Sequence, residues 1–478
     1  MKVALPTRVS MRYVAYFAAF LLLVEVVEGT PVFLALTAQA FMLVSALAFN
    51  VAGGLAYPSG ACIFFNAVLS LSLGVLLKAV LGEPLQSNLQ GAQQTMLTYL
   101  AGMVSILIAA ILAAKLRRKR GLLERIDTGM QMDQVGLGCL LIAYVTPYLL
   151  PSAFQGTFSQ FNNAFVYLAI VLPVYYRARQ TDGRSSFHYV ALIAWMYLTY
   201  TYGISAFSKQ GLFGPSVAWM LAALAAGYRV SGAKLLAIAS TVLVATTVLT
   251  PYSQLARNYR GEANQSDLAF NLLLHPIETR ALYNEQLKLN YMLGAGYHWF
   301  DQPQGLLDRL TMVPVDDALV YSTDHLRPGS PYALWSYVLN MVPRYLYPGK
   351  PTLLWGNVYA HDIGLIGEGD ETTGISFTPY ADGYHTAGWV GVTLILGAMF
   401  FVMFYVCDSV AGSVASSPWS LVYILYFTHA ASEGMLGMTM YAVSTTTPAL
   451  ISAALISTYV APILGNLVTP RRKVFHQL

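Results

Sequence analysis

T-M-L-T-Y-L-A-G-M-V-S-I-L-I-A-A-I-L-A-A-K-L-R-R-K-R, residues 95–120, decides the fold. Its first twenty residues carry no charge, and the last six include five cations. About twenty apolar residues, coiled as a helix, match the hydrocarbon thickness of a bilayer. Lys and Arg gathered at one end mark the cytoplasmic side. The rest of the chain repeats this pattern. Of 478 residues, 56 % are apolar and 10 % charged, and mean hydropathy is +0.53. A soluble domain carries roughly 25 % charged residues. The composition reads as an all-α polytopic membrane protein.

Apolar segments predict about twelve transmembrane helices: 13–28, 31–50, 61–82, 93–114, 134–150, 161–176, 187–206, 213–227, 233–250, 386–406, 419–432 and 443–464. Pro31, Pro58 and Pro418 mark loops or helix starts. No cleavage pattern separates the first two apolar stretches, so the first reads as a retained membrane helix. With both termini cytoplasmic, seventeen Lys and Arg fall on cytoplasmic segments, against Lys78 and Lys209 on short external ones. The bias holds at every loop. The cluster at 115–120 reads as a contact with anionic lipid rather than with nucleic acid. Cys62, Cys139 and Cys407 read as small buried hydrophobes without metal spacing.

This topology divides the chain into an N-terminal bundle of about nine spans (1–250), a large external loop (251–385), and a C-terminal set of about three spans with a cytoplasmic tail (386–478). The loop holds fourteen acids against eight Lys and Arg, a net charge of −6, and five of the eight histidines. Loops of this size usually carry binding or chemistry. Periodic pieces at 268–274, 279–293, 305–310 and 332–342 predict short helices, some flat in the interface, with Trp299, Trp335 and Tyr337 as anchors.

Three groups in or beside the loop carry candidate chemistry. Arg257 and Arg260, three residues apart, share a face if the preceding helix continues. Paired guanidiniums suit a pyrophosphate, although cations at a span end also snorkel. V-P-R-Y-L-Y-P-G-K-P (342–351) holds Arg344 and Lys350 on a backbone stiffened by three prolines. The return to the membrane contains His361, Asp362, Glu368, Asp370, Glu371, Asp382 and His385. Asp382 or His385, beside Tyr384, can take a proton from a sugar hydroxyl, and Asp382 can equally cap a helix. Aromatics such as Trp355 and Tyr384 suit sugar faces. Asp316-Asp317 and 368–371 offer oxygen ligands without a closed metal template, and read as solvated acidic loops. Nothing predicts a cofactor, zinc or ATP. Glu25, Glu28, Lys78 and Glu433 fall near span ends rather than along an ion pathway.

The run P-R-Y-L-Y-P-G-K-P (343–351) resembles the P-R-x-L-x-P-x-K-P signature of bacterial oligosaccharide repeat-unit polymerases of the Wzy type. Arg309 ahead of it resembles that family's preceding arginine. Thr372-Thr373, Ser376 and Thr378 resemble its Ser/Thr-rich stretch, and Asp382, Tyr384 and Gly388 its acid-x-Tyr-x-x-x-Gly passage, with Asp where Glu is common. The resemblance covers about 250–392. It implies an inner-membrane glycosyltransferase joining undecaprenyl-pyrophosphate-linked glycan repeats of an O-antigen or exopolysaccharide at the periplasmic face. Arg257, Arg260, Arg344 and Lys350 would hold pyrophosphate. Asp382 or His385, then His361, would be the base, with Tyr384 and Trp355 against sugar. A chain-length regulator and a flippase are the expected partners, besides membrane lipid. An O-antigen-ligase-like transferase, a flippase and a non-catalytic export component are the alternatives.

Overall fold

The structure, a computed structural model, describes residues 5–126, 132–149, 152–259, 265–292, 297–305, 307–327, 329–342, 346–347, 349–351 and 354–468. It is all-helical among these residues, with one β-bridge joining Phe377 to Gly434. A helix lies at each of the twelve apolar segments: α1 Met11–Val27, α2 Val32–Ala52, α3 Pro58–Leu81, α4 Ala92–Leu116, α5 Met132–Leu149, α6 Ser152–Gln180, α7 Tyr189–Leu198, α8 Lys209–Ala225 and α9 Gly232–Leu255 before the long interval. Short helices α10 Gln265–Leu274, α11 Pro276–Met292, α12 Val313–His325, α13 Tyr332–Asn340 and α14 Trp355–Asp362 follow. The chain then runs through α15 Pro379–Val390, α16 Leu396–Ala411, α17 Ser420–Glu433, α18 Gly437–Tyr459 and α19 Ala461–Val468. Among the described residues six segments are long and apolar enough to cross a bilayer: α2, α3, α4, α9, the stretch Pro379–Ala411, and α18. Coiling satisfies the backbone hydrogen bonds of such segments without water, so lipid leaves little alternative.

The C-terminal helices interleave with the N-terminal ones. α16 packs on α4 and α3, α17 on α3, and α19 on α5. Polar contacts fix these crossings. Asp408 on α16 accepts from the Ser59 backbone N–H (3.0 Å) and hydroxyl (2.7 Å) at the start of α3, and pairs with Arg117 at 3.0 Å. Arg117 also stacks on the Tyr57 ring. The Asn66 amide donates to the Ala431 carbonyl, and Tyr380 donates to Asn66 Oδ1.

The interval 251–385 differs from its sequence reading in two places. The periodicity predicts no helix at α12 or α14, and α12 packs against α4 and α15 instead of lying at the surface. The acid pair Asp316-Asp317 interrupts its apolar residues. Trp299 and Tyr337, expected as interfacial anchors, are buried. Trp299 fills a slot over Gly74 and donates its indole N–H to the Leu85 carbonyl at 2.9 Å. Beside it Lys78, also fully buried, pairs with Glu83 at 2.7 Å. Trp335 is exposed.

The re-entry into the membrane is a broken helix. Residues 379–386 form a half-helix in which every residue is buried, with Thr378 as its N-cap. The helix breaks at Ala387 (φ −150°) and Gly388 (φ +57°, ψ −141°), the latter a conformation suited to glycine. The segment beyond folds back, so Gly391 touches Gly383. A Cβ on Gly391 would lie 1.8 Å from the Gly383 carbonyl oxygen. Non-helical backbone at this depth survives only where protein encloses it. Gly391→Ala therefore loses about 1–3 kcal/mol of stability, read as a lowered midpoint in a thermal unfolding scan of the detergent-solubilised protein. An unchanged midpoint means that the two halves do not touch.

Candidate functional site

Helices α12–α14 meet the starts of α4, α15 and α18 around three buried aspartates. Asp316 and Asp317 are adjacent on α12 and point to different neighbours, as successive helical residues do. Asp317 accepts from the backbone N–H groups of Gln90 and Gly91 and from Thr95 Oγ1 (2.8 Å), so it caps α4 from another part of the chain. Asp316 accepts from Tyr99 and from both the backbone N–H (3.1 Å) and the hydroxyl of Thr378, the first residue of the half-helix. The expectation that this acid pair belongs to a solvated loop is overturned. Both are buried, at 0 % and 2 % exposure, because helix N-termini need their oxygens. Glu368 and Glu371 are exposed. Among the described residues no group of three His, Cys, Asp or Glu forms a metal-holding cluster.

The sequence-derived bases occupy distinct settings. Asp382 is fully buried and accepts four hydrogen bonds, from Tyr337 OH (2.9 Å), Tyr359 OH (2.8 Å), the Leu436 backbone N–H (2.7 Å) and Thr386 Oγ1 (3.2 Å). Burial, and next the neighbouring Asp382 carboxylate, raise the titration of both phenols, so they stay donors. The bonds tie α13, α14 and the start of α18 together, which makes Asp382 a positioning residue. His385 is buried too. Its Nδ1 is 2.8 Å from Thr323 Oγ1, and its Nε2 is 3.7 Å from Asp362, which pairs with Arg327 at 3.3 Å. His361, half-buried, bonds the Asp370 carbonyl at 3.0 Å and pins the loop after α14. Tyr384 is buried, bonded to Asp324 (2.7 Å) and Gln94 (2.6 Å).

Of the four proposed pyrophosphate cations, Arg260 and Arg344 lie outside the described residues, as does most of the proline-stiffened core of 343–348. Lys350 Nζ donates to the carbonyls of Val342 (2.9 Å) and Asn340 (3.3 Å), at the C-terminal end of α13. Arg257 reaches the Phe207 carbonyl at 3.5 Å, just before α8. These two are not brought together on one cavity.

Lys350 and Trp355 do share one. A cavity of about 620 Å³ is lined by both, with Tyr337, Asn340, Ser376 and Tyr441. A second, of about 540 Å³, shares Ser376, Tyr426, Gly434 and Tyr441 with it, so the two adjoin along those residues. The second cavity descends along α17 from Glu433 to Val422 and is walled by Ala164 of α6 and Leu450 of α18. At 1.5 Å per residue that is about 16 Å, near half the hydrocarbon thickness. Its upper end is polar, with Gln210, His429, Glu433 and Ser376. Glu433 and His429, one turn apart on α17, are not among the site residues that the sequence patterns point to. Their i, i+4 spacing inside an apolar span was the available signal. No protein-family model, curated protein or solved structure matches this chain.

Burial pushes the Asp316 carboxyl up to about 7 against its hydrogen bonds, from an ordinary 3.8. Between about pH 4 and 7 the folded protein therefore keeps a proton that the unfolded chain has released. Stability from this group is full below pH 4 and falls as pH rises through that window. The slope approaches about 1.4 kcal/mol per pH unit at most. Asp316→Asn should flatten it, as measured by thermal midpoints from pH 4.5 to 8. A slope unaltered by the substitution assigns it to other groups.

Proposed function

We propose that this protein is an inner-membrane polysaccharide polymerase. It would be a glycosyltransferase that joins undecaprenyl-pyrophosphate-linked oligosaccharide repeats at the periplasmic face of a bacterium. The observation that carries this reading is the pair of contiguous cavities. One is polar and aromatic at the level of α13 and α14, and the other runs deep between apolar helices. Two lipid-linked substrates, a donor and an acceptor, need polar sites for their sugars and phosphates beside apolar space for their tails. The resemblance of 343–351 to the repeat-unit polymerase signature supports it, as does the lysine of that run standing on the first cavity.

In this reading all twelve apolar helices cross the membrane, both termini are cytoplasmic, and residues 251–385 face the periplasm. Lys350 meets the departing pyrophosphate of the donor, whose charge develops in the transition state. Arg257, Arg260 and Arg344 remain proposed pyrophosphate cations on the strength of the sequence resemblance alone. Trp355 offers an indole face to a sugar ring; its N–H is already given to Ser336. The two adjoining cavities would hold donor and acceptor in line, so that binding supplies much of the rate.

Deleting the gene should leave single lipid-linked repeats on the periplasmic face. Wild-type complementation should restore long chains. Lys350→Ala should shorten them, with an initial rate about 10- to 100-fold lower if a charge-assisted contact to the leaving group is lost. Gel profiles of the glycan, with immunoblots for protein level, measure both. Polymer that forms on the carrier but never leaves it identifies a ligase instead. Repeats retained on the cytoplasmic face identify a transporter. An unaltered glycan profile in the deletion strain overturns the enzymatic reading.

A further inference from the structure

Two cavities adjoining along one shared wall raise the question of what each receives. Resting on the polymerase reading, we infer that Glu433 is the general base for the acceptor hydroxyl, with His429 beside it, and that the second cavity receives the acceptor. The first cavity has a cation, Lys350, on its wall, and suits the pyrophosphate of the donor. The upper part of the second has a carboxylate and an imidazole, and suits the end of a substrate that loses a proton.

Geometry favours Glu433 over the other acids of this region. Asp382, Asp316 and Asp317 are enclosed and occupied by helix N-termini and hydroxyl donors. Glu433 stands on the cavity wall and precedes Gly434, a residue common to both cavities. Ser376, which lines both cavities, is a polar neighbour of its carboxylate. Gln210 lies 3.4 Å from His429 Nδ1, which holds the imidazole toward the same cavity.

The step balances without a further reactant. The acceptor oxygen attacks the anomeric carbon of the donor and forms the new glycosidic bond. The bond from that carbon to the pyrophosphate oxygen breaks, and the electron pair leaves with polyprenyl pyrophosphate. The hydroxyl proton passes to Glu433 and from there to solvent.

The test uses the full chain in detergent with the lipid-linked repeats extracted from the deletion strain. Glu433→Gln should lower the polymerisation rate about 100-fold or more, with the concentration dependence on the repeats unchanged. Added formate should restore part of the rate to Glu433→Ala, which a purely structural carboxylate would not show. Glu433→Asp carries the test if the other variants fail to accumulate. It should polymerise about 10-fold slower, with the acid limb of the pH–rate profile displaced. Wild-type rates in Glu433→Gln, or an undisplaced profile in Glu433→Asp, overturn the assignment and leave the polymerase reading standing. If the wild-type protein itself extends none of these repeats, that reading fails, and the assignment with it.

Discussion

A helix that starts inside a membrane protein presents backbone N–H groups that no preceding turn can satisfy. Where water is excluded, each orphan costs several kcal/mol. This chain meets the problem with carboxylates brought from far away in sequence. Asp317 serves α4, Asp316 the half-helix at Thr378, Asp382 the start of α18, and Asp408 the start of α3. Each carboxylate collects three or four donors, which offsets its own desolvation. Removing one partner would strand both a charge and a helix end.

The cavities depend on this scheme. Asp382 accepts from Tyr337 and Tyr359, and Tyr337 and Trp355 stand on the wall of the first cavity. The Leu436 N–H bound to the same carboxylate fixes the bend between α17 and α18. That bend carries Gly434 to the wall shared by the two cavities and orients the last turn of α17, where Glu433 sits. The aspartate therefore acts at a distance, by holding the groups that face the lumen.

Helix positions were legible because a bilayer demands apolar runs of one length, and composition alone reveals them. Among the described residues, six of the runs satisfy the requirement of length and apolarity directly. The acids were harder to read. Asp316 and Asp317 look like any hydrophilic turn until their partners, more than two hundred residues away for Thr95 and Tyr99, are known. Trp299 was misread for a similar reason: an aromatic beside apolar segments fits a membrane interface and a buried slot equally well, and only the absent side chain at Gly74 distinguishes them. Asp382 and Glu433 exchanged prominence. A carboxylate next to a motif drew attention, whereas one at the end of an unremarkable span did not.

The interleaving of the two ends of the chain bears on how the protein is made. Ser59, Asn66 and Arg117 enter the membrane early in synthesis, but their partners, Asp408, Tyr380 and the Ala431 carbonyl, emerge only near the end. Until then the early helices hold polar groups and one cation with no protein partner at those crossings. A nascent bundle of this kind would need the insertion machinery or a chaperone to shelter it. It would also be conspicuous to membrane proteases whenever the last helices failed to arrive, so completeness of the chain is checked by the same contacts that hold it together.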